Sequence, residues 1–243
     1  MKLQLRLACG VGLTAFCIWA VASAAPQDLP KDTAKAATAA DVAELQKKLE
    51  TIAANPEKSK GAIRTAKGLV LSLSIYGDAA TQGQAAKVLL ALDKKDIPAA
   101  LEAAKGLSAP KADPAALKAI DGKFDLEDIM SQFRLAKSGG NNIEKDIRDG
   151  MKGGTIDPKA AELIGARSSA LAVFTEKMPN AKAMVNPAMT KKWEKWSKDM
   201  GGAGKELAEE GGKGAKADAK KLVMLLKKLD SSCSNCHNEF RNE

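Results

Sequence analysis

Cys233, Cys236 and His237 stand together near the end of the chain, in the run Cys233-Ser234-Asn235-Cys236-His237. On a helix, positions i and i+3 share a face, so both thiols point the same way. Two thiols so placed can reach two vinyl groups on one edge of a porphyrin and join it through thioethers. The imidazole of the following residue then reaches the iron from one side of the ring. This is the pattern of c-type haem attachment, with Cys233 and Cys236 binding the cofactor and His237 binding the metal. Covalent attachment also prevents loss of haem outside the cell. Three other readings compete. A Cys233–Cys236 disulfide is one, but redox pairs of this spacing normally open a helix after a strand. A structural zinc site needs four ligands, and this run offers three. Chance is the third.

The first residues bear on that choice. Lys2 and Arg6 form a short basic start, an apolar run follows from Leu7 to Val21, and Ala22-Ser23-Ala24 provides small residues for cleavage. That is the layout of a secretory signal peptide over residues 1–25. The run is shorter than the roughly 20 residues that span a bilayer, so the expected product is a periplasmic or otherwise exported protein with no membrane span after cleavage. Neither Cys9 nor Cys17 sits where a lipoprotein signal would place it. Both leave with the leader, so only Cys233 and Cys236 remain, beside the single histidine of the chain. Chance is thereby disfavoured.

The 243 residues carry 38 Lys and Arg against 30 Asp and Glu, a net +8; without Lys2 and Arg6 the excess is +6. The positive charge is spread along helix-like stretches and not clustered, which argues against nucleic-acid binding and is compatible with acidic partners. Aromatic residues make up 4% of the chain. Its wealth of Ala, Lys, Leu and Glu, with few β-branched residues, predicts an all-α protein.

Periodicity divides the chain further. Residues 26–37 read as a frayed lead-in. Thr38 and Asp41 are candidate caps for a first helix that carries Val42, Leu45, Leu49 and Ile52 to the Asn55-Pro56 break. Helices from about Ser59 to Tyr76, Thr81 to Leu92 and Pro98 to Leu107 complete a small module over 38–108. Pro110, Pro114 and Gly122 mark a linker over 109–125. A second module over 126–243 begins with a helix bearing Ile129, Met130 and Phe133, interrupted at Gly139-Gly140. A segment with Ile143, Ile147 and Met151 on one face follows. Asp157-Pro158 and Asn186-Pro187 open two long helices, the second holding Trp193, Trp196 and Met200, whose spacing marks bundle core. The last helix, from about Ala215 to Phe240, repeats Leu222, Leu225, Leu229, Cys233, Cys236 and Phe240 at three- and four-residue steps. Such a stripe faces a core, so whatever the cysteines hold points inward.

A chain ending Cys233-Ser234-Asn235-Cys236-His237-Asn238-Glu239-Phe240-Arg241 on its last helix resembles the cytochrome c′ family, the class II cytochromes c. The tryptophan helix after Asn186-Pro187 and the stretch from Glu162 to Pro179 are similar to that family's middle helices. The resemblance covers about Leu126 to Glu243 and implies a four-helix bundle carrying one covalent haem c between its helices; it leaves the N-terminal module unexplained. In that family the first helix supplies the residue facing the iron's far side. It is methionine in six-coordinate electron carriers, and a bulky apolar residue in five-coordinate proteins that bind nitric oxide or carbon monoxide. Met130 is the matching candidate here, as iron ligand or as ordinary core, and Phe133 is the apolar alternative. Leu126 and Glu127 stand where the family has an Arg-Gln pair. Arg241, one turn past His237, is either a partner for a haem propionate or a surface arginine complementing the helix dipole. The family's members are often dimers, although no stretch of this chain demands a homodimer interface.

Two functions follow as expectations. The first is single-electron transfer with redox partner proteins, acidic ones fitting the charge. The second is binding or sequestering nitric oxide or carbon monoxide at an open iron. Peroxidase chemistry usually wants a distal histidine as acid and base, and His237 is the chain's only one, so an enzyme is not expected.

Overall fold

A computed structural model describes residues 29–108 and 113–241. The expected leader at 1–25, with Cys9 and Cys17, lies outside them, as do residues 109–112 of the expected linker. The described residues are all-α: helices and short 3-10 turns, with no strand among them. No helix among them is long and apolar enough to cross a membrane.

The first half holds α1 (Lys31–Ala54), α2 (Lys60–Tyr76), α3 (Ala79–Asp93) and α4 (Ile97–Lys105). Side-chain caps open two of them: Asp78 accepts from the Thr81 amide at 2.8 Å, and Asp96 from that of Ala99 at 3.0 Å. Each such cap satisfies an amide the helix itself leaves orphaned. Leu45, Leu49 and Ile52 of α1 meet Leu69, Leu73, Leu89 and Leu92 of the next two helices in one core. α1 departs from expectation. It starts at Lys31, so the lead-in over 31–37 is helix, and Thr38 lies inside it with its hydroxyl donating to the Ala34 carbonyl at 2.8 Å. The reason is tertiary: Ala37 packs on Ala166 and Ala208, and Asp41 is wholly buried.

The stretch expected as linker contains a short helix, α5 (Pro114–Lys118), capped by Asp113 and anchored by buried Ala116 and Ile120. α6 (Leu126–Met130) follows, opened by a capping box in which the Asp125 and Asp128 side chains each accept the other's amide. It is shorter than the helix expected there. A 3-10 turn, Ser131–Phe133, succeeds it, and the fully buried Gln132 bends the chain onto α2, its amide donating to the Thr65 carbonyl. Gly139 then adopts φ +86°, the left-handed region that favours glycine, with its α-carbon against the Gly61 backbone.

The second half holds α7 (Ile143–Gly153), α8 (Pro158–Lys177), α9 (Pro187–Gly211) and α10 (Ala219–Phe240). Asp157 and Asn186 cap α8 and α9, each followed by proline at the first helical position, as the sequence suggests. α10 begins four residues later than expected, because Asp218 accepts from the Lys220 and Lys221 amides at 2.8 and 3.2 Å. Close contacts give the directions. Gly165 meets Gly204 and Ala208 while Gly211 meets Pro158 and Glu162, so α8 and α9 are antiparallel. Lys221 pairs with Glu210 and Lys192 with Glu239, so α9 and α10 are antiparallel too. Ile143, Ile147, Ile164, Met200, Leu207 and the α10 leucines 222, 225, 226 and 229 form a second core. Full burial of each leucine contributes about 1.5–3 kcal/mol. The fourth helix of this core is thus α7. The Leu126 helix, expected to lead the bundle, instead packs on α2 and α8, with Ile129 in the first core.

α8 serves both cores. Leu171 and Phe174 belong to the first, and Phe124 packs edge-on against Phe174 at 5.2 Å between ring centres. The Arg167 guanidinium donates to Asp41 Oδ1 at 2.6 and 2.8 Å, and the Tyr76 hydroxyl donates to Oδ2.

Candidate functional site

The α10 stripe runs as its spacing predicts, and at its C-terminal end it passes between two apolar clusters. Cys233, half-buried, packs against the core of α7 to α10. Cys236, also half-buried, packs against a separate cluster of Ala183, Trp193 and Phe240. Both are free thiols. Trp193 and Trp196 meet the Phe240 ring edge-on at 5.2 and 5.4 Å, and the Trp193 indole donates to the Thr175 carbonyl at 2.7 Å. These aromatic contacts clamp the end of α10 to α8 and α9. The loop between those helices helps: Asn180 donates to the Phe240 carbonyl at 2.8 Å and Lys182 to that of Arg241 at 3.0 Å.

A cleft opens in front of the thiols. It admits about 90 Å³ of water-sized space, and about 700 Å³ counting its open mouth. Cys233, Cys236 and His237 line one side. Facing walls come from Met130 at the end of α6 and Phe133 in the turn after it, Ile147 on α7, and Trp196 and Met200 on α9. Thus Met130, although its helix is short and lies outside the bundle core, shares the cleft with His237. Phe133 does so too. Arg241 is exposed beyond the helix end and does not line the cleft; its amide donates to the His237 carbonyl at 3.0 Å.

Electrostatics follow from burial. It pushes the Cys233 thiol up to about 12 and the Cys236 thiol up to about 11. Both are therefore protonated at neutral pH, opposite to the low-pKa thiolate of a disulfide oxidoreductase. Partial burial holds the His237 imidazole below the ordinary histidine value; the Arg241 charge adds to this and Glu144 opposes it. The ring is then neutral, the form that binds metals. Among the described residues no three His, Cys, Asp or Glu side chains come together as a metal-binding group.

The donor set has a definite chemistry. Two neutral thiols share one helix face, an imidazole follows them, and thioethers and aromatic rings stand opposite. A flat apolar macrocycle with two vinyl groups and a central metal fits these residues. The water-admitting part alone is smaller than the roughly 300–1,000 Å³ of ordinary ligand pockets, so such a ring would also need the open mouth. No family model matches this chain, and no curated protein or solved structure is significantly similar to it.

Sequence reasoning did not single out Met200, Ser197 or Thr175 as cleft residues. Met200 and Trp196 were legible as one face of a helix, and that face is also a cleft wall. Ser197, next to Trp196, carries no periodic signal because serine is as common on a surface as in a tight helix contact.

Proposed function

We propose that this chain is an exported mono-haem c-type cytochrome that carries single electrons. Cys233 and Cys236 would hold the haem through two thioethers, His237 would ligate the iron, and Met130 would supply a second ligand. The observation carrying this reading is that two neutral thiols and the chain's only histidine front an apolar cleft into which Met130 also reaches. When bound, the group supplies a reversible one-electron couple. The protein's part is to hold it by the last helix, shield it with Phe133, Trp196 and Met200, and leave one edge open to a redox partner. Low dielectric around the ring and a thioether ligand both favour the reduced iron and raise the potential. The leader-like start at residues 1–25 supports export, and the net positive charge suits an acidic partner. The lining of the cleft by Phe133 favours a second reading: a five-coordinate iron that binds nitric oxide or carbon monoxide.

Expression in a host that matures c-type cytochromes tests the attachment. The expected product is red, keeps its colour through acid-acetone extraction and gains the mass of one haem; Cys233→Ala with Cys236→Ala loses all three. Colourless wild-type protein would end the proposal. A low-spin spectrum indifferent to carbon monoxide, becoming high-spin in Met130→Ala, supports electron transfer. A wild-type spectrum that shifts with carbon monoxide supports the second reading.

A further inference from the structure

Ser197 is 3% exposed and lines the cleft, and its hydroxyl has no hydrogen-bond partner. A buried hydroxyl left unpaired is destabilising by about 1–3 kcal/mol, so its presence beside a cavity points to an absent acceptor. Two of the other cleft hydroxyls are already committed, and the third, on Ser234, belongs to an exposed residue of α10. Thr175 donates to the Leu171 carbonyl at 3.0 Å, and Ser232 to that of Leu229 at 2.7 Å. Glu144 and Asp230, the carboxylates of the cleft, only accept when ionised. Ser168 is also buried with an unpartnered hydroxyl, but it does not line this cleft. Ser168 packs its β-carbon against the point where Gly204 meets α8, which calls for a small side chain. No such close approach involves Ser197, which stands one residue from Trp196 and one turn from Met200 on a cleft wall.

We propose that Ser197 is the hydrogen-bond donor for a small exogenous molecule bound at the iron, so that the cleft selects by the outer atom of that ligand. This rests on the second, five-coordinate form of the haem reading above, in which Met130 leaves the iron open. The class favoured is a diatomic that binds through one atom and carries acceptor electron density on the next, as cyanide does. Carbon monoxide, whose oxygen accepts weakly, gains little from the same hydroxyl. Discrimination between the two therefore resides in one side chain on α9, and not on the helix that holds the haem.

The test uses haem-loaded full-length protein carrying Met130→Ala, which removes that thioether from the cleft, with and without Ser197→Ala. Cyanide dissociation constants are measured on the oxidised form and carbon monoxide constants on the reduced form, with the C–O stretch read by infrared. Loss of one hydrogen bond predicts a cyanide constant weaker by roughly three- to tenfold, a carbon monoxide constant within about twofold, and a higher C–O frequency. Ser168→Ala in the same background removes a buried unpaired hydroxyl outside the cleft and leaves both constants in place. Equal changes for the two ligands, no change in either, or the same effect from Ser168→Ala would overturn the assignment. Protein that emerges without covalent haem fails earlier and visibly, before any titration, and takes the haem reading down with this one.

Discussion

Removing the Asp41 carboxylate gives a calculable loss of stability. Asp41 is 0% exposed and Arg167 6%. Two guanidinium nitrogens of Arg167 donate to Asp41 Oδ1 at 2.6 and 2.8 Å, while Tyr76 donates to Oδ2. In Asp41→Ala the guanidinium stays buried without its counter-ion and the Tyr76 hydroxyl loses its acceptor. Breaking a buried pair from one side typically destabilises by about 3–5 kcal/mol, against a total stability of roughly 5–15 kcal/mol for a whole domain. In a chain of this size each kcal/mol lowers Tm by about 2–4 °C, so a drop on the order of 6–20 °C is expected. Urea titration followed by circular dichroism measures it, with the slope reporting whether α1 still docks. Asp41→Leu combined with Arg167→Leu removes both charges and recovers most of the loss. If Asp41→Ala costs under about 1 kcal/mol, or the double replacement is as damaging as the single, the pair does not lock α1 and α2 to α8.

Two further outcomes follow. Glu210 is 2% exposed and accepts from the Asp218 amide at 3.0 Å, Lys213 at 2.7 Å and Lys221 at 2.8 Å, contacts that hold its carboxyl at about 2 against an ordinary 4.5. Because the folded value is the lower one, this contribution is present above pH 4.5 and is lost as pH falls toward 2; Glu210→Gln flattens the stability profile in that window, as thermal melts at stepped pH will record. Gly202 and Gly204 lie in the same helix with opposite surroundings: a β-carbon on Gly204 would stand 2.7 Å from the Ser169 amide nitrogen, while none of the space around Gly202 is filled within 4 Å. Gly202→Ala is expected to stabilise by about 0.5–1 kcal/mol through helix propensity and Gly204→Ala to destabilise by about 1–3 kcal/mol through overpacking, so equal signs in denaturant titrations would contradict the close α8–α9 approach.

What the residue order revealed depended on how local the cause was. The α10 stripe, the proline-led starts of α8 and α9, and the all-α class were legible because spacing, side-chain caps and propensity act over a few residues. The start of α1 was not: Pro30 gives Lys31 no side-chain cap, and what orders residues 31–37 is the packing of Ala37 on Ala166 and Ala208. Asp41 looked like a cap because acidic residues favour helix starts, whereas its partner Arg167 lies 126 positions away. The shortness of α6 likewise comes from Gln132 reaching back to Thr65, a contact no window of sequence contains. Within the site, the cysteines, His237 and Met130 were visible as residue types with a chemistry. Ser197 was not, since what sets it apart is a missing hydrogen bond.

The same division explains how a short α6 can still serve the cleft. In a bundle whose first helix ran the full length, the register of that helix would set the residue facing His237. Here the position of Met130 is set by three non-bundle constraints: the Asp125–Asp128 capping box, Ile129 in the first core, and Gln132 fixed to Thr65. Each ties α6 to α2 or to its own start, and α2 is in turn joined to α8 through Tyr76, Asp41 and Arg167. The N-terminal helices therefore form the support that holds one wall of the cleft against α10. Met130 packs against the first core and not the second, so it can shift relative to α10 without unfolding the bundle, whereas Phe133 packs against both. Loosening that support, as Asp41→Ala does, thus moves Met130 before it disturbs Cys233 and Cys236, which α10 carries on its own stripe.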